Sequence, residues 1–144
     1  MENISMTTSE RQVMRVIWAY PHSRSQEIIM RLENDFSWKP ATIKTLLNRL
    51  KRKSLISMEK IDGKFYYNSL ISEEEQLAVE RQRLLSGICN TKQGQLLANL
   101  VEESRLSQKD ISRLIGILEE RRATAPEEVS CSCVKGQCRC AHHD

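Results

Sequence analysis

The hydrophobic period of this chain changes abruptly near residue 55, and that change constrains the fold more than any other feature of its 144 residues. Before it, apolar residues recur at i, i+3, i+4 and i+7, the spacing that lays one stripe along an α-helix. Val13, Val16, Ile17 and Tyr20 form the first stripe, opened by the capping box Thr7-Thr8-Ser9-Glu10 and closed by Pro21. Ile28, Ile29 and Leu32 mark a short second helix, with Ser25 as its expected N-cap and Asn34-Asp35 loosening its end. Ile43, Leu46, Leu47 and Leu50 mark a third, which opens near Pro40, a residue tolerated in a first turn. After Ser54 the period drops to two residues: Ile56, Met58 and Lys60 alternate, Asp62-Gly63 is a hairpin turn signal, and Lys64 to Leu70 is rich in β-formers. Three helices followed by a two-stranded hairpin is the element order of a winged helix-turn-helix domain, expected over residues 1–70. A domain of about 70 residues is near the lower size limit for an adequate core, so support from the rest of the chain is expected.

That remainder reads as helical. Ser72 and Glu75 form another capping box, ahead of a helix carrying Leu77, Ala78, Leu84, Leu85 and Ile88 and weakened at its end by Gly87. Leu96, Leu97, Leu100 and Val101 mark the next, and Ile111, Leu114, Ile115 and Leu118 mark a last one over Ser107 to Arg122. Two or three amphipathic helices cannot cover all their own apolar faces, so residues 71–123 read as a helical dimerisation domain and a homodimer is expected. Past Ala123-Thr124-Ala125-Pro126, residues 124–144 read as a Cys-rich tail, flexible unless a metal orders it. The expected fold class is therefore mainly α with a small β-hairpin.

Composition narrows the function. The longest apolar runs are a few residues, far below the ~18 that span a membrane, and the N-terminal stretch carries an acid and no apolar block, so a cytoplasmic protein is expected. The net charge of +3 averages unlike halves: residues 1–70 carry +5 and residues 71–144 carry −2. The excess is concentrated in Lys39, Lys44, Arg49, Lys51, Arg52 and Lys53, a stretch without an acid, which points to a polyanionic partner. No paired-carboxylate, nucleophile–base or phosphate-loop constellation stands out, so an enzyme is not expected.

On a helical wheel, the side of the third helix opposite its apolar stripe presents Ala41, Lys44, Thr45, Asn48 and Arg52, with Thr42 and Arg49 at the flanks. Such a face suits the major groove, where Arg or Lys donates to guanine and Asn bridges adenine while the other bases contact phosphates. Alone, a basic helix face is more often a solvated surface; as the third of three helices ahead of a hairpin it reads as a recognition helix. Lys60 and Lys64 flank the hairpin turn and are placed to touch the adjacent backbone or minor groove, the alternative being a solubilising tip. Tyr66 and Tyr67 read as hairpin packing, Trp18 as core, Trp38 as part of a helix start and His22 as a turn residue.

Four of the five cysteines fall in the last fourteen residues, as Cys131 and Cys133, then Cys138 and Cys140: two C-x-C pairs separated by four residues that include Gly136. In a reducing compartment such clustering points to metal or redox chemistry rather than a disulfide framework. Each pair can bring two thiolates to one ion, Gly136 lets the chain fold back, and Lys135 and Arg139 are expected to favour the thiolate form. The spacing is not that of a typical zinc ribbon, and all-sulfur ligation suits Cu(I), Zn(II) or related ions, with thiol redox sensing or an inert tail as the alternatives. One Zn(II) with four thiolates carries two negative charges, as do two Cu(I) sharing the same four, so a switch between them would act through coordination geometry. Cys89 reads as a buried small hydrophobe. His142 and His143 are possible nitrogen ligands, but at a chain end exposure to solvent is expected.

The segment Trp38-Lys39-Pro40-Ala41-Thr42-Ile43-Lys44-Thr45-Leu46-Leu47-Asn48-Arg49-Leu50 resembles the penicillinase-repressor (BlaI/MecI) family, and the C-x-C-x4-C-x-C tail resembles its copper-responsive, CopY-type branch. The resemblance spans nearly the whole chain. It implies a homodimeric repressor that holds a palindromic operator of copper-transport genes in its Zn(II) form. Cu(I) delivered by a copper chaperone then replaces zinc and releases the DNA. Carried onto these positions, it makes Cys131, Cys133, Cys138 and Cys140 the metal ligands and puts the DNA contacts on the third helix. The penicillinase branch is instead inactivated by cleavage at an Asn-Phe bond, and no Asn-Phe pair occurs here. A metal-buffering or copper-delivery protein with an incidental basic helix, and a thiol-redox regulator, are the other readings.

Overall fold

The computed structural model describes residues 5–140. They form α1 (Thr8–Ala19), β1 (Ser23–Arg24), α2 (Ser25–Phe36), α3 (Pro40–Arg52), β2 (Ile56–Ile61), β3 (Lys64–Ser69), α4 (Glu73–Ser86), a single 3-10 turn (Asn90–Lys92), α5 (Gln93–Glu103) and α6 (Gln108–Arg122). The chain divides into two compact units, Met1–Glu80 and Arg81–Asp144.

In the first unit the three stripes meet. Val13, Met14 and Ile17 of α1, Ile28 and Leu32 of α2, and Ile43, Leu46, Leu47 and Leu50 of α3 are buried in one cluster with Leu55, Ile56 and Tyr67. Each such side chain contributes about 1.5–3 kcal/mol on leaving water, which offsets the entropy of ordering so short a domain. The helix starts follow from their caps. The Thr7 side chain accepts from the Glu10 N–H at 3.1 Å while Glu10 accepts from the Thr7 N–H at 3.0 Å. In α2 the cap is Arg24 rather than Ser25, because Glu27 reaches back to the Arg24 N–H at 2.8 Å and draws the helix start one residue upstream.

The hairpin is part of an antiparallel sheet of three strands in the order β1-β3-β2, so β3 is central. Strand β1 pairs Ser23 with Tyr67 and Arg24 with Tyr66; at two residues it is too short to show any period in the sequence. Between β2 and β3, Ile61 pairs with Lys64 across Asp62-Gly63, both with positive φ (52° and 78°), as a two-residue hairpin turn requires. Only the base of the hairpin is buried; its tip is exposed, and the Lys60 ammonium lies 5.5 Å from the Phe65 ring. His22, at φ 62°, occupies the expected turn and stacks on Tyr66 at 4.6 Å. The support expected from beyond residue 70 is present: the Trp18 indole donates to the Ile71 carbonyl at 2.9 Å, Arg11 pairs with Glu80, and Gln76 is fully buried.

The second unit is built otherwise. Helix α4 ends at Ser86, before Ile88, as Gly87 closes its last turn onto the Arg83 and Leu84 carbonyls. Helix α6 starts with the reciprocal pair Ser107 and Asp110. No residue of α5 or α6 is buried, and Leu97, Leu100, Val101, Ile111, Ile115, Ile117 and Leu118 are exposed. Among the described residues, no helix is long and apolar enough to cross a membrane.

Candidate nucleic-acid interface and thiolate cluster

Because Ile43, Leu46, Leu47 and Leu50 are consumed by the core, the other side of α3 is turned to solvent. Ala41, Thr42, Lys44, Thr45, Asn48, Arg49 and Arg52 are all exposed there, and Lys60 and Lys64 are exposed at the hairpin tip. The Thr45 hydroxyl donates back to the Ala41 carbonyl at 3.0 Å, leaving its lone pairs outward. One base of the run is committed elsewhere. The Lys53 ammonium donates to Glu10 Oε1 at 2.7 Å and to the Ser5 carbonyl at 3.1 Å. Burial raises the Glu10 carboxyl, but Lys53 and the Thr7 backbone and hydroxyl more than compensate, so it lies below its ordinary value.

The tail, without helix or strand between 124 and 140, brings its sulfurs together. Cys131 and Cys138 Sγ are 3.3 Å apart, and the Cys133 N–H points at Cys131 Sγ at 3.4 Å. The fold-back occurs at Gly136, whose φ of 97° is a conformation that side chains resist, with the Gln137 N–H donating to the Val134 carbonyl at 3.1 Å.

Cys89 is buried, as expected, but its sulfur does more than fill space: it is the fifth member of the cluster. Its Sγ lies 3.5 Å from that of Cys131 and 3.6 Å from that of Cys140. The sulfurs of Cys89, Cys131, Cys133 and Cys138 all lie within 4.8 Å of one another. The Thr91 Oγ1, 3.0 Å from Cys89 Sγ and 3.8 Å from Cys140 Sγ, completes the surroundings. A C-x-C search cannot find Cys89; the available signal was a fifth cysteine next to a helix-ending glycine, where an apolar anchor has no helix face to fill.

The groups that shift the thiols are these neighbours rather than Lys135 and Arg139. The Thr91 hydroxyl and N–H, with the Cys131 and Cys140 thiols, hold Cys89 down to about 6. The Cys140 N–H, followed by neighbouring thiols, brings Cys138 to about 7. Cys140 moves up, because Cys138 and Cys89 compete with it for negative charge. A zinc–sulfur bond of about 2.3 Å implies tetrahedral edges of about 3.8 Å, within the range that these sulfurs span, so the donor set fits a four-coordinate thiophilic ion. His142 and His143 lie outside the described residues.

A winged helix with an exposed cationic third helix, on a chain that also gathers thiols, defines a DNA-binding regulator. The penicillinase repressor family matches residues 6–120. An uncharacterised 16.5 kDa protein of Latilactobacillus sakei is 38% identical over 135 residues, covering 94% of this chain and 92% of that one. The penicillinase repressor of Bacillus licheniformis is 31% identical over 117 residues, covering 81% of this chain and 91% of that one. Among solved structures, the CopR repressor is 39% identical over 49% of this chain and 100% of that one, with a TM-score of 0.41. The chain belongs to the penicillinase repressor family and is a DNA-binding transcriptional repressor rather than an enzyme.

Proposed function

We propose that this repressor is copper-responsive: it holds a palindromic operator of copper-homeostasis genes as a homodimer in its Zn(II) form and lets go when Cu(I), handed over by a copper chaperone in the cytoplasm, replaces zinc. The observation that carries this reading is the convergence of all five thiols on a chain with an exposed cationic recognition helix. In the proposal Ala41, Lys44, Thr45, Asn48 and Arg52, flanked by Thr42 and Arg49, face the major groove, and Lys60 and Lys64 reach the neighbouring backbone or minor groove. The exposed apolar positions of α5 and α6 pair two copies, setting the recognition helices about one helical turn of DNA apart.

Release requires the DNA-free form to bind Cu(I) more tightly than the DNA-bound form, since equal affinities shift nothing. A coupling of ~1–3 kcal/mol changes operator affinity about 5- to 150-fold. Four thiolates carry the same net charge around one Zn(II) as around two Cu(I), so the response runs through geometry; identical scattering profiles of the two forms, alongside different DNA affinities, would contradict that.

The deciding experiment selects duplexes from a random library with the zinc-loaded protein and titrates the selected complex with Cu(I). Release by Cu(I) from the wild type, and no release from a variant with Cys131, Cys133, Cys138 and Cys140 changed to Ser, supports the reading. Affinity unchanged by Cu(I) would leave a metal buffer, and release by oxidant but not copper would leave a redox regulator. Protection of a single half-site at every concentration would reject the dimer.

A further inference from the structure

We propose that Cys89 is a metal ligand, closing a four-sulfur site with Cys131, Cys133 and Cys138, and that Cys140 is the spare thiol at which an incoming cation is first caught. This rests on the metal-sensing reading and reassigns one ligand of the paired C-x-C motif. Two geometric facts carry it. Cys89, Cys131, Cys133 and Cys138 form the group whose sulfurs are mutually within 4.8 Å, while Cys140 is not of that group and lies at its edge, against Cys89 at 3.6 Å, Thr91 and the Cys138 and Cys131 thiols. Cys89 is also only 7% exposed and is the one thiol that adjoins helical segments, capping the 3-10 turn, while the others lie in the tail without helix or strand.

The joint that holds it is well fixed. Gly87 closes α4, Cys89 caps the 3-10 turn with its carbonyl accepting from the Lys92 N–H at 2.9 Å, and the Gln93 side chain donates across the joint to the Leu85 carbonyl at 3.0 Å. An open cleft of ≈ 470 Å³, lined by Gly87, Cys89, Cys133 and Gln137 among others, gives an approach to the sulfurs.

The consequence is a lever. A site made wholly of residues 131–140 could exchange one ion for another and leave the helices untouched, because its four ligands would all move with the tail. A site with one ligand at Cys89 ties the tail to the joint between α4 and α5. Any change in sulfur arrangement then bears on the segment that orients α5, which carries the exposed Leu97, Leu100 and Val101. This supplies the differential contact that coupling between a metal and a distant surface demands. A fifth thiol beside four occupied ones lets an arriving soft cation bond before zinc departs.

The test is brief alkylation of the full-length protein carrying one equivalent of zinc, read by peptide mass spectrometry. Label on Cys140 with Cys89, Cys131, Cys133 and Cys138 protected is the expected result; label on Cys89 with Cys140 protected overturns the assignment. No protection of any thiol by zinc would overturn the metal-sensing reading and this assignment with it, so the two failures are distinguishable. Chelator competition gives a second readout. Cys89→Ser should weaken zinc by about 10- to 100-fold, the scale on which even supporting residues act, while Cys140→Ser leaves zinc affinity unchanged and slows exchange with Cu(I). The reverse ranking refutes the proposal, and because the labelling uses the wild type, a folding defect in a variant cannot rescue it.

Discussion

Helices α3 and α6 carry the same apolar spacing and meet opposite fates. In α3 the stripe Ile43, Leu46, Leu47 and Leu50 is at most 4% exposed, whereas in α6 Ile111, Ile115 and Leu118 are 44%, 49% and 60% exposed. Periodicity reports that a helix has a face to bury; it does not say what covers it. For α3 the cover is α1, α2 and the sheet, from the same chain. For α5 and α6 no residue is buried among the described residues, and in the proposed homodimer a second copy would supply the cover.

Five substitutions test that contrast. Leu47→Ala, in the closed core, should cost ~2–5 kcal/mol in urea unfolding, while Leu118→Ala should leave unfolding of the first unit unchanged. Equal losses would mean that α6 is covered within the chain. Ile115→Asp should convert the proposed dimer to monomer in sedimentation, with the first unit still folded; an unchanged mass would reject α6 as the pairing face. Asn48→Ala should cost ~1–3 kcal/mol of operator affinity and relax preference at one base pair without altering the oligomeric mass, since in the proposed function its exposed side chain faces DNA. The smallest effect is at Glu10. Its carboxyl sits below the ordinary 4.5 when folded, so it contributes stability above that pH which is lost as pH falls through the folded value. Glu10→Gln should therefore flatten the fall in stability below pH 4.5, measured by urea unfolding across that range.

Much of the first unit was legible because its signals are local. The Thr7 and Glu10 box, the Pro40 start and the Asp62-Gly63 turn each specify backbone geometry within four residues. The outward face of α3 followed from the inward one. Strand β1 was not legible, since Ser23 and Arg24 become a strand only through pairing with Tyr67 and Tyr66. The thiolate site was half legible: spacing exposed the tail, but Cys89 joins it from 42 residues away, across a separation that no motif encodes. The Lys53–Glu10 pair was not legible either, because nothing in the run from Lys39 to Lys53 marks which base Glu10 engages.

That withdrawn base bears on how the repressor senses ionic strength. Binding to duplex DNA is driven largely by release of condensed counterions, and each phosphate neutralised adds about 0.9 to the slope of log affinity against log salt. With Lys53 held by Glu10 and Ser5, the basic run can displace fewer cations than its residue count suggests, and the proposed homodimer would forgo that contribution twice. Glu10→Gln, which loosens the tether, should steepen the salt dependence of operator binding.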